Sequence, residues 1–195
     1  DSGNNPIVRA DGLRHSYGDT TALNGISLEI RAGEFFGLLG PNGAGKTTTI
    51  SILSALLRPD AGAIHIGGYD LLTQPARVKR LTGVVPQEIA LYEELTAFQN
   101  LLFWGRLYGV DGSESRRRAT QLLGMVGLEN RMHETVAHYS GGMKRRVNLA
   151  AALMHSPSLL LMDEPTVGID PQSRNHIFDL LGQLHSEGIS IIYTT

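Results

Sequence analysis

Residues 40–48 read Gly-Pro-Asn-Gly-Ala-Gly-Lys-Thr-Thr, and the fold follows from them. The phosphate-binding loop pattern Gly-x4-Gly-Lys-[Ser/Thr] falls on Gly40, Gly45, Lys46 and Thr47. Upstream, Phe35 to Leu39 is a short apolar run that predicts a buried strand. Downstream, Ile50, Leu53 and Leu57 recur at i, i+3 and i+7 and predict a helix starting at Lys46. Strand, glycine loop and helix together make a triphosphate site. The glycines let the backbone approach the phosphates, successive N–H groups form an anion nest, and the helix N-terminus adds partial positive charge. Lys46 would neutralise the β/γ-phosphates and Thr47 would hold Mg²⁺. A chance match comes to on the order of one per cent against background residue frequencies. The chain has only three lysines, and one stands at the required position.

The length of 195 residues predicts one domain of ordinary size with room for subdomains, and 42% hydrophobic residues suffice for a sizeable core. A net charge of −2 gives no global basic field for nucleic acid. The absence of cysteine excludes disulfides and thiolate metal sites. No apolar run approaches the roughly 18 residues of a membrane span. The opening Asp1 to Pro6 is polar and has no basic start, so no signal peptide is expected.

The first third reads as strands and turns. Ile26, Leu28 and Ile30 alternate with polar residues, Arg31-Ala32-Gly33 is a turn, and Arg58 to Gly62 breaks the chain before a strand over Ala63–Ile66. Gly83-Val84-Val85-Pro86 predicts a short buried strand ending at proline. From Thr96 to Met154 the pattern is helical. Thr96 caps a helix over Phe98–Tyr108, a second helix runs over Glu114–Val126, and a third starts at Gly141. Arg116-Arg117-Arg118 is expected to be a solvated helix face rather than a phosphate site. The last part returns to α/β, with a buried strand over Ser158–Met162, a helix over Ser173–Glu187 and a strand over Ile189–Thr194.

Leu159 to Met162 leads into Asp163 and Glu164. Strand ends in open α/β sheets are where ligands bind, so Asp163 is a candidate partner for Mg²⁺ and Glu164 for the attacking water. By itself the pair also fits a strand that simply exits into solvent. Tyr139-Ser140-Gly141-Gly142-Met143 offers a helix cap. The Ser140 hydroxyl and the free N–H groups behind it would equally make a second anion site.

Taken in order, these motifs resemble the ATP-binding subunit or domain of ABC transporters over nearly the whole chain. Residues 40–48 resemble Walker A, Gln87 after Val84-Val85-Pro86 the Q-loop glutamine, and Ser140-Gly141-Gly142 the Leu-Ser-Gly-Gly-Gln signature. Leu159 to Glu164 resembles Walker B with its catalytic glutamate, Gly168-Ile169-Asp170 the D-loop, and Tyr17 in His15-Ser16-Tyr17-Gly18 the aromatic that stacks on adenine. The resemblance implies a three-layer α/β phosphate-loop core, with an N-terminal antiparallel β subdomain and an inserted α-helical subdomain. The β subdomain is expected over 6–34 and 62–70, the core over 35–61, 71–90 and 155–195, and the helical part over 91–154.

It further implies that Asn42, Gly43, Ala44, Gly45, Lys46, Thr47 and Thr48 bind ATP beneath Tyr17. Thr47, Gln87 and Asp163 form the Mg²⁺ environment, and Glu164, Lys46 and Gln87 serve hydrolysis. Ser140, Gly141 and Gly142 of a second ATP-binding subunit would close the site in a head-to-tail dimer, with Asp170 near the joint. The motor would sit on the cytoplasmic face of the membrane through a transmembrane permease, and nucleic acid is not expected as a partner. The stretch Glu88–Asn100 is read either as the helical lobe packing inward or as a docking surface for the permease.

Two signature positions depart from the family pattern, Tyr139 for Leu and Met143 for Gln. The family places a switch histidine directly after the strand resembling Ile191 to Thr195, and His155, His176 and His185 do not match it. The expectation is a truncated chain with little ATPase turnover of its own. The wording of the two motifs most resembles exporters of the antibiotic-resistance, nodulation and sodium-efflux type.

Other phosphate-loop classes fit less well. No Asn-Lys guanine reader occurs, which argues against a GTPase. About 95 residues without a heptad run separate Lys46 from Ser140, which argues against a coiled-coil repair ATPase. A soluble ABC ATPase acting on ribosome or nucleic acid is the alternative; it should carry strong basic patches, and the near-neutral charge balance argues mildly against it.

Overall fold

A computed structural model describes residues 6–195; Asp1 to Asn5, most of the polar opening read above, lie outside it. Strands β1 (Pro6–Tyr17) and β2 (Thr20–Arg31) form a long antiparallel hairpin turning through Gly18 and Asp19. Along β1 the inward positions Val8, Ala10, Leu13 and His15 are buried while their neighbours are exposed, with a register shift between Ala10 and Leu13. Strand β3 (Phe35–Leu38) leads to the phosphate loop and helix α1 (Lys46–Leu53). β4 (Ala61–Ile66) and β5 (Tyr69–Asp70) complete a four-stranded antiparallel sheet in the order β2-β1-β4-β5.

After α2 (Pro75–Leu81) comes β6 (Thr82–Val85), then the helices α3 (Ala97–Leu107), α4 (Gly112–Met125) and α5 (Gly141–Ala152). β7 (Leu159–Met162), α6 (Pro171–Ser186) and β8 (Ser190–Thr194) end the chain. The second sheet has the order β3-β8-β7-β6, and all its pairings are parallel. β7 is buried throughout because both of its faces are covered, as in parallel sheets generally. Leu159 and Leu161 pack toward the antiparallel sheet with Ile52, Leu53 and Ile64, whereas Leu160 and Met162 pack toward α5, α6 and the helical lobe. The period of two divides one strand between two cores. No helix among the described residues is long and apolar enough to cross a membrane.

Several elements differ from the sequence expectations. β3 is an edge strand with only β8 beside it, so Phe35 is exposed and Leu39 lies beyond the strand end in solvent; the apolar run reflects one covered face, not two. α1 stops at Leu53, and Leu57 is not on it. The N–H groups of Leu56 and Leu57 both return to the Ser51 carbonyl around Ala55, whose φ of 56° ends the helix. Leu57 still reaches the inter-sheet core, but from a loop. α2 was not anticipated, although Pro75 in its first turn and Lys79 and Arg80 in its last are ordinary helix signals. Arg116 and Arg117 are solvated, but Arg118 turns inward and donates to the Leu153 carbonyl at 2.8 Å, tying α4 to the end of α5.

Candidate nucleotide-binding and hydrolytic site

The phosphate loop turns at Pro41, whose carbonyl accepts from the Ala44 N–H at 3.1 Å, and enters α1 at Gly45 with φ 84°. A Cβ at Gly45 would lie 2.6 Å from Leu23 Cδ2 and 2.7 Å from the Ala22 carbonyl oxygen, so close packing on β2 as well as the left-handed backbone demands glycine. No side chain caps α1, which leaves its first-turn N–H groups to an outside anion. Lys46 Nζ donates to the Gly40 carbonyl at 2.6 Å and the Pro41 carbonyl at 3.2 Å, and lies 3.4 Å from Glu164 Oε1.

Pairing of β7 with β6 brings the two acids to the loop. Asp163 donates its N–H to the Val85 carbonyl at 3.0 Å. Its Oδ1 accepts from Thr47 Oγ1 at 3.3 Å and from Thr194 Oγ1 at 2.9 Å. Thr194 is a polar residue of this site that sequence reasoning missed. Nothing in the strand pattern of Ile189–Thr194 marks it, because its role comes from the neighbouring strand.

Tyr17, Asn42, Gly43, Gly45, Lys46, Thr47, Thr48, Gln87 and Glu164 line one cleft. Tyr17 projects from the end of β1, half exposed, with the buried His15 ring edge-on at 4.8 Å. Asp163 sits behind Thr47, and Ala44 lies on the exposed outer turn of the loop; neither lines the cleft.

Thr47's hydroxyl proton points to Asp163, which leaves its lone pairs and the second Asp163 oxygen for a hard cation. No group of three or more His, Cys, Asp or Glu that could hold a metal occurs among the described residues. Such a sparse oxygen donor set fits Mg²⁺, which keeps waters and phosphate oxygens and takes few protein ligands.

Ser140, Gly141, Gly142 and Asp170 do not line this cleft. Ser140 caps α5, its hydroxyl accepting from the Met143 N–H at 3.3 Å, and Ser140 and Gly141 are exposed. Gly142 is pressed against α6, where a Cβ would fall on the Ser173 hydroxyl. Asp170 caps α6 by accepting from the Ser173 N–H at 2.8 Å, and that amide and the Ser173 hydroxyl hold its carboxyl below the usual carboxylate range. The two helix N-termini are therefore packed side by side.

Tyr139 and Met143 both face Arg131. The Tyr139 hydroxyl donates to the Arg131 carbonyl at 2.6 Å, and the Met143 sulfur accepts from Arg131 Nη1 at 3.4 Å. They pack into the helical lobe and leave the Ser-Gly pair free. α5 also grips the loop carrying Gln87. Arg145 donates to the Pro86 carbonyl at 2.8 Å and the Gln87 carbonyl at 2.7 Å, and Asn148 accepts from the Ala90 N–H at 3.2 Å. The stretch 88–100 divides between its two readings, since Leu91 and Phe98 pack on the helical core while Tyr92 is exposed beside Phe103.

Residues 23–167 match the family described as ABC transporter. The chain is similar to the linearmycin resistance ATP-binding protein LnrL of Bacillus subtilis (strain 168), 52% identical over 189 residues that cover 97% of this chain and 61% of the relative. It is similar to the Nod factor export ATP-binding protein I of Ralstonia nicotianae, 42% identical over 193 residues covering 99% and 60%. The chain thus spans about three-fifths of the length of these curated relatives. Its fold is similar to an ATP-binding cassette solved as a dimer in a post-hydrolysis state bound to ADP and Pi, with a TM-score of 0.86, 28% identity, and coverage of 97% of this chain and 88% of that one.

Proposed function

The chain belongs to the ABC transporter family, and from that premise we infer that it is the ATP-binding and ATP-hydrolysing motor of an exporter. The observation that carries the reading is the single cleft in which the phosphate loop, the candidate base platform Tyr17, Gln87 and Glu164 meet, with Asp163 bonded behind Thr47. The α1 N-terminus and the loop N–H groups bind the phosphates, and Lys46 exchanges its contact with Glu164 for phosphate oxygens. Asn42, Gly43, Ala44, Gly45 and Thr48 shape this cradle. Tyr17 stacks on the adenine. Thr47, Gln87 and Asp163 would hold Mg²⁺, which would supply neutralisation of the charge that develops on the transferring phosphoryl group. Glu164 orients the attacking water. Phosphoryl transfer of this kind is positioning and charge stabilisation, so the uncovered side of the γ-phosphate needs donors too.

Those donors are Ser140, Gly141 and Gly142 of a second ATP-binding subunit, arranged head to tail with Asp170 at the joint. Within one chain Ser140 and Gly141 are exposed at the start of α5, Gly142 is buried against α6, and none of the three lines the cleft. ATP then holds two subunits together, and hydrolysis releases them, a two-state cycle that a membrane partner can use. A groove walled by Leu56, Val84, Ala90, Trp104 and Tyr108, close to the exposed Tyr92, is the docking surface for a transmembrane permease on the cytoplasmic face. The antiparallel sheet, the phosphate-loop core and the helical insert act as three subdomains, with boundaries near 34, 62, 70, 90 and 154. Export is favoured by the resistance and Nod factor export relatives. A soluble ATPase of ribosome or nucleic acid has no observation in its favour.

Calorimetry on the full-length protein with Lys46→Ala tests nucleotide binding. Loss of the charge-assisted bonds to phosphate, about 1.5–3 kcal/mol each, lowers ATP affinity by tenfold or more. Unchanged affinity would refute the phosphate role of Lys46.

A further inference from the structure

Thr194 ends β8 with its side chain fully buried, and its hydroxyl touches both acids at the end of β7. The Glu164 N–H donates to Thr194 Oγ1 at 2.9 Å, and the same oxygen lies 2.9 Å from Asp163 Oδ1. An amide N–H only donates and a carboxylate only accepts, so the single proton of the hydroxyl goes to Asp163. The Thr47 hydroxyl brings a second donor to that same carboxylate oxygen, at 3.3 Å. One relay therefore runs from the Glu164 backbone through Thr194 to Asp163 and meets Thr47.

Glu164 has a φ of 44°, in the left-handed region where a residue with a side chain persists only if its surroundings hold it. The last ladder pairing of β7 with β8 joins Met162 to Tyr193. One step beyond it, the Thr194 side chain takes over and accepts the N–H of the turning residue.

We propose that Thr194 is a positioning residue for ATP hydrolysis. Its hydroxyl fixes the Asp163 carboxylate against Thr47 and holds the Glu164 backbone in the turn that directs its carboxylate into the cleft. It touches neither nucleotide nor water. The proposal rests on the roles of Asp163 and Glu164 inferred above. A residue that merely filled the core would be replaced by valine without consequence, because valine has nearly the same shape.

The test uses the full-length protein with Thr194→Val, Thr194→Ser and Glu164→Gln. Three quantities are read: turnover, ATP affinity in EDTA, and the gain in ATP affinity on adding Mg²⁺. Thr194→Val is expected to lower turnover by about tenfold to a hundredfold, the usual range for groups that orient metal ligands, and to shrink the Mg²⁺-dependent gain in affinity. Affinity in EDTA stays at the wild-type value, and Thr194→Ser restores the other two. Wild-type turnover in the valine variant, or a serine variant as impaired as valine, overturns the proposal. If the valine variant does not fold, Thr194→Ala replaces it, with loss expected for alanine and retention for serine; equal turnover in those two overturns the proposal. Wild-type turnover in Glu164→Gln instead sinks the underlying role of Glu164, whichever way Thr194 behaves.

Discussion

Tyr17 and Lys46 bind opposite ends of one ligand in this account, and their settings differ accordingly. Lys46 is buried among the Gly40 and Pro41 carbonyls and the Glu164 carboxylate, so its charge is already aimed. Tyr17 stands half exposed at a strand end with only the edge of His15 behind it, leaving its ring available to a flat partner. Base–aromatic stacking is worth about 1–3 kcal/mol, so Tyr17→Ala weakens ATP binding by roughly fivefold to a hundredfold and leaves inorganic triphosphate binding unchanged. Parallel titrations of the two ligands check this, and equal losses for both would contradict it. Lys46, Thr47 and Glu164 of this cleft, and Asp163 behind Thr47, could be picked out from the sequence because each stands in its own local motif. Thr194 was not legible, because its hydroxyl acts across a strand pairing that no local pattern records.

At the scale of elements, α5 is the part on which the rest converge. Ser140 caps it and Gly141 opens it, Gly142 locks it to α6, and Arg145 and Asn148 hold the loop bearing Gln87. Beyond its C-terminus, His155 stacks at 3.8 Å on Tyr108, the residue that caps the end of α3, and its Nε2 faces the Thr82 carbonyl of β6 at 3.1 Å. A carbonyl only accepts, so Nε2 carries the proton, and the buried Nδ1 has no hydrogen-bond partner among the described residues. Burial first, and Arg118 in addition, push His155 below its ordinary value of 6.5, although the bond to Thr82 opposes them. The folded state then binds fewer protons than the unfolded chain. Stability from this group is complete above pH 6.5 and is lost as pH falls from there toward the lowered folded value. Denaturant titrations between pH 7.5 and pH 5 should show a shallower acid loss for His155→Phe, which keeps the ring contact. An unchanged slope would remove His155 from the account.

Element boundaries show why patterns mislead at the edges of a fold. The Ser140 and Thr96 caps were readable because they use local hydrogen bonds, whereas the length of α1 and the exposure of β3 depend on what packs beside them.

For the whole molecule, the decisive fact is that the cleft over α1 and the N-terminus of α5 are separate surfaces. The cleft over α1 is lined by the phosphate loop and Glu164, with Asp163 behind Thr47, while Ser140 and Gly141 are exposed at the start of α5. Within the chain, Arg145 of α5 donates to the backbone carbonyl of Gln87, a residue that lines the cleft. In the proposed head-to-tail arrangement two copies would complete two sites, with ATP as the shared layer. Glu164→Gln keeps the shape of the side chain but removes the carboxylate proposed to orient water, so it should stop the cycle with ATP between the subunits. Light scattering of the full-length Glu164→Gln protein, with ATP and Mg²⁺ and then with ADP, tests this most directly. A stable dimer with ATP and monomers with ADP are expected; a protein that stays monomeric at saturating ATP would overturn the proposed dimer cycle.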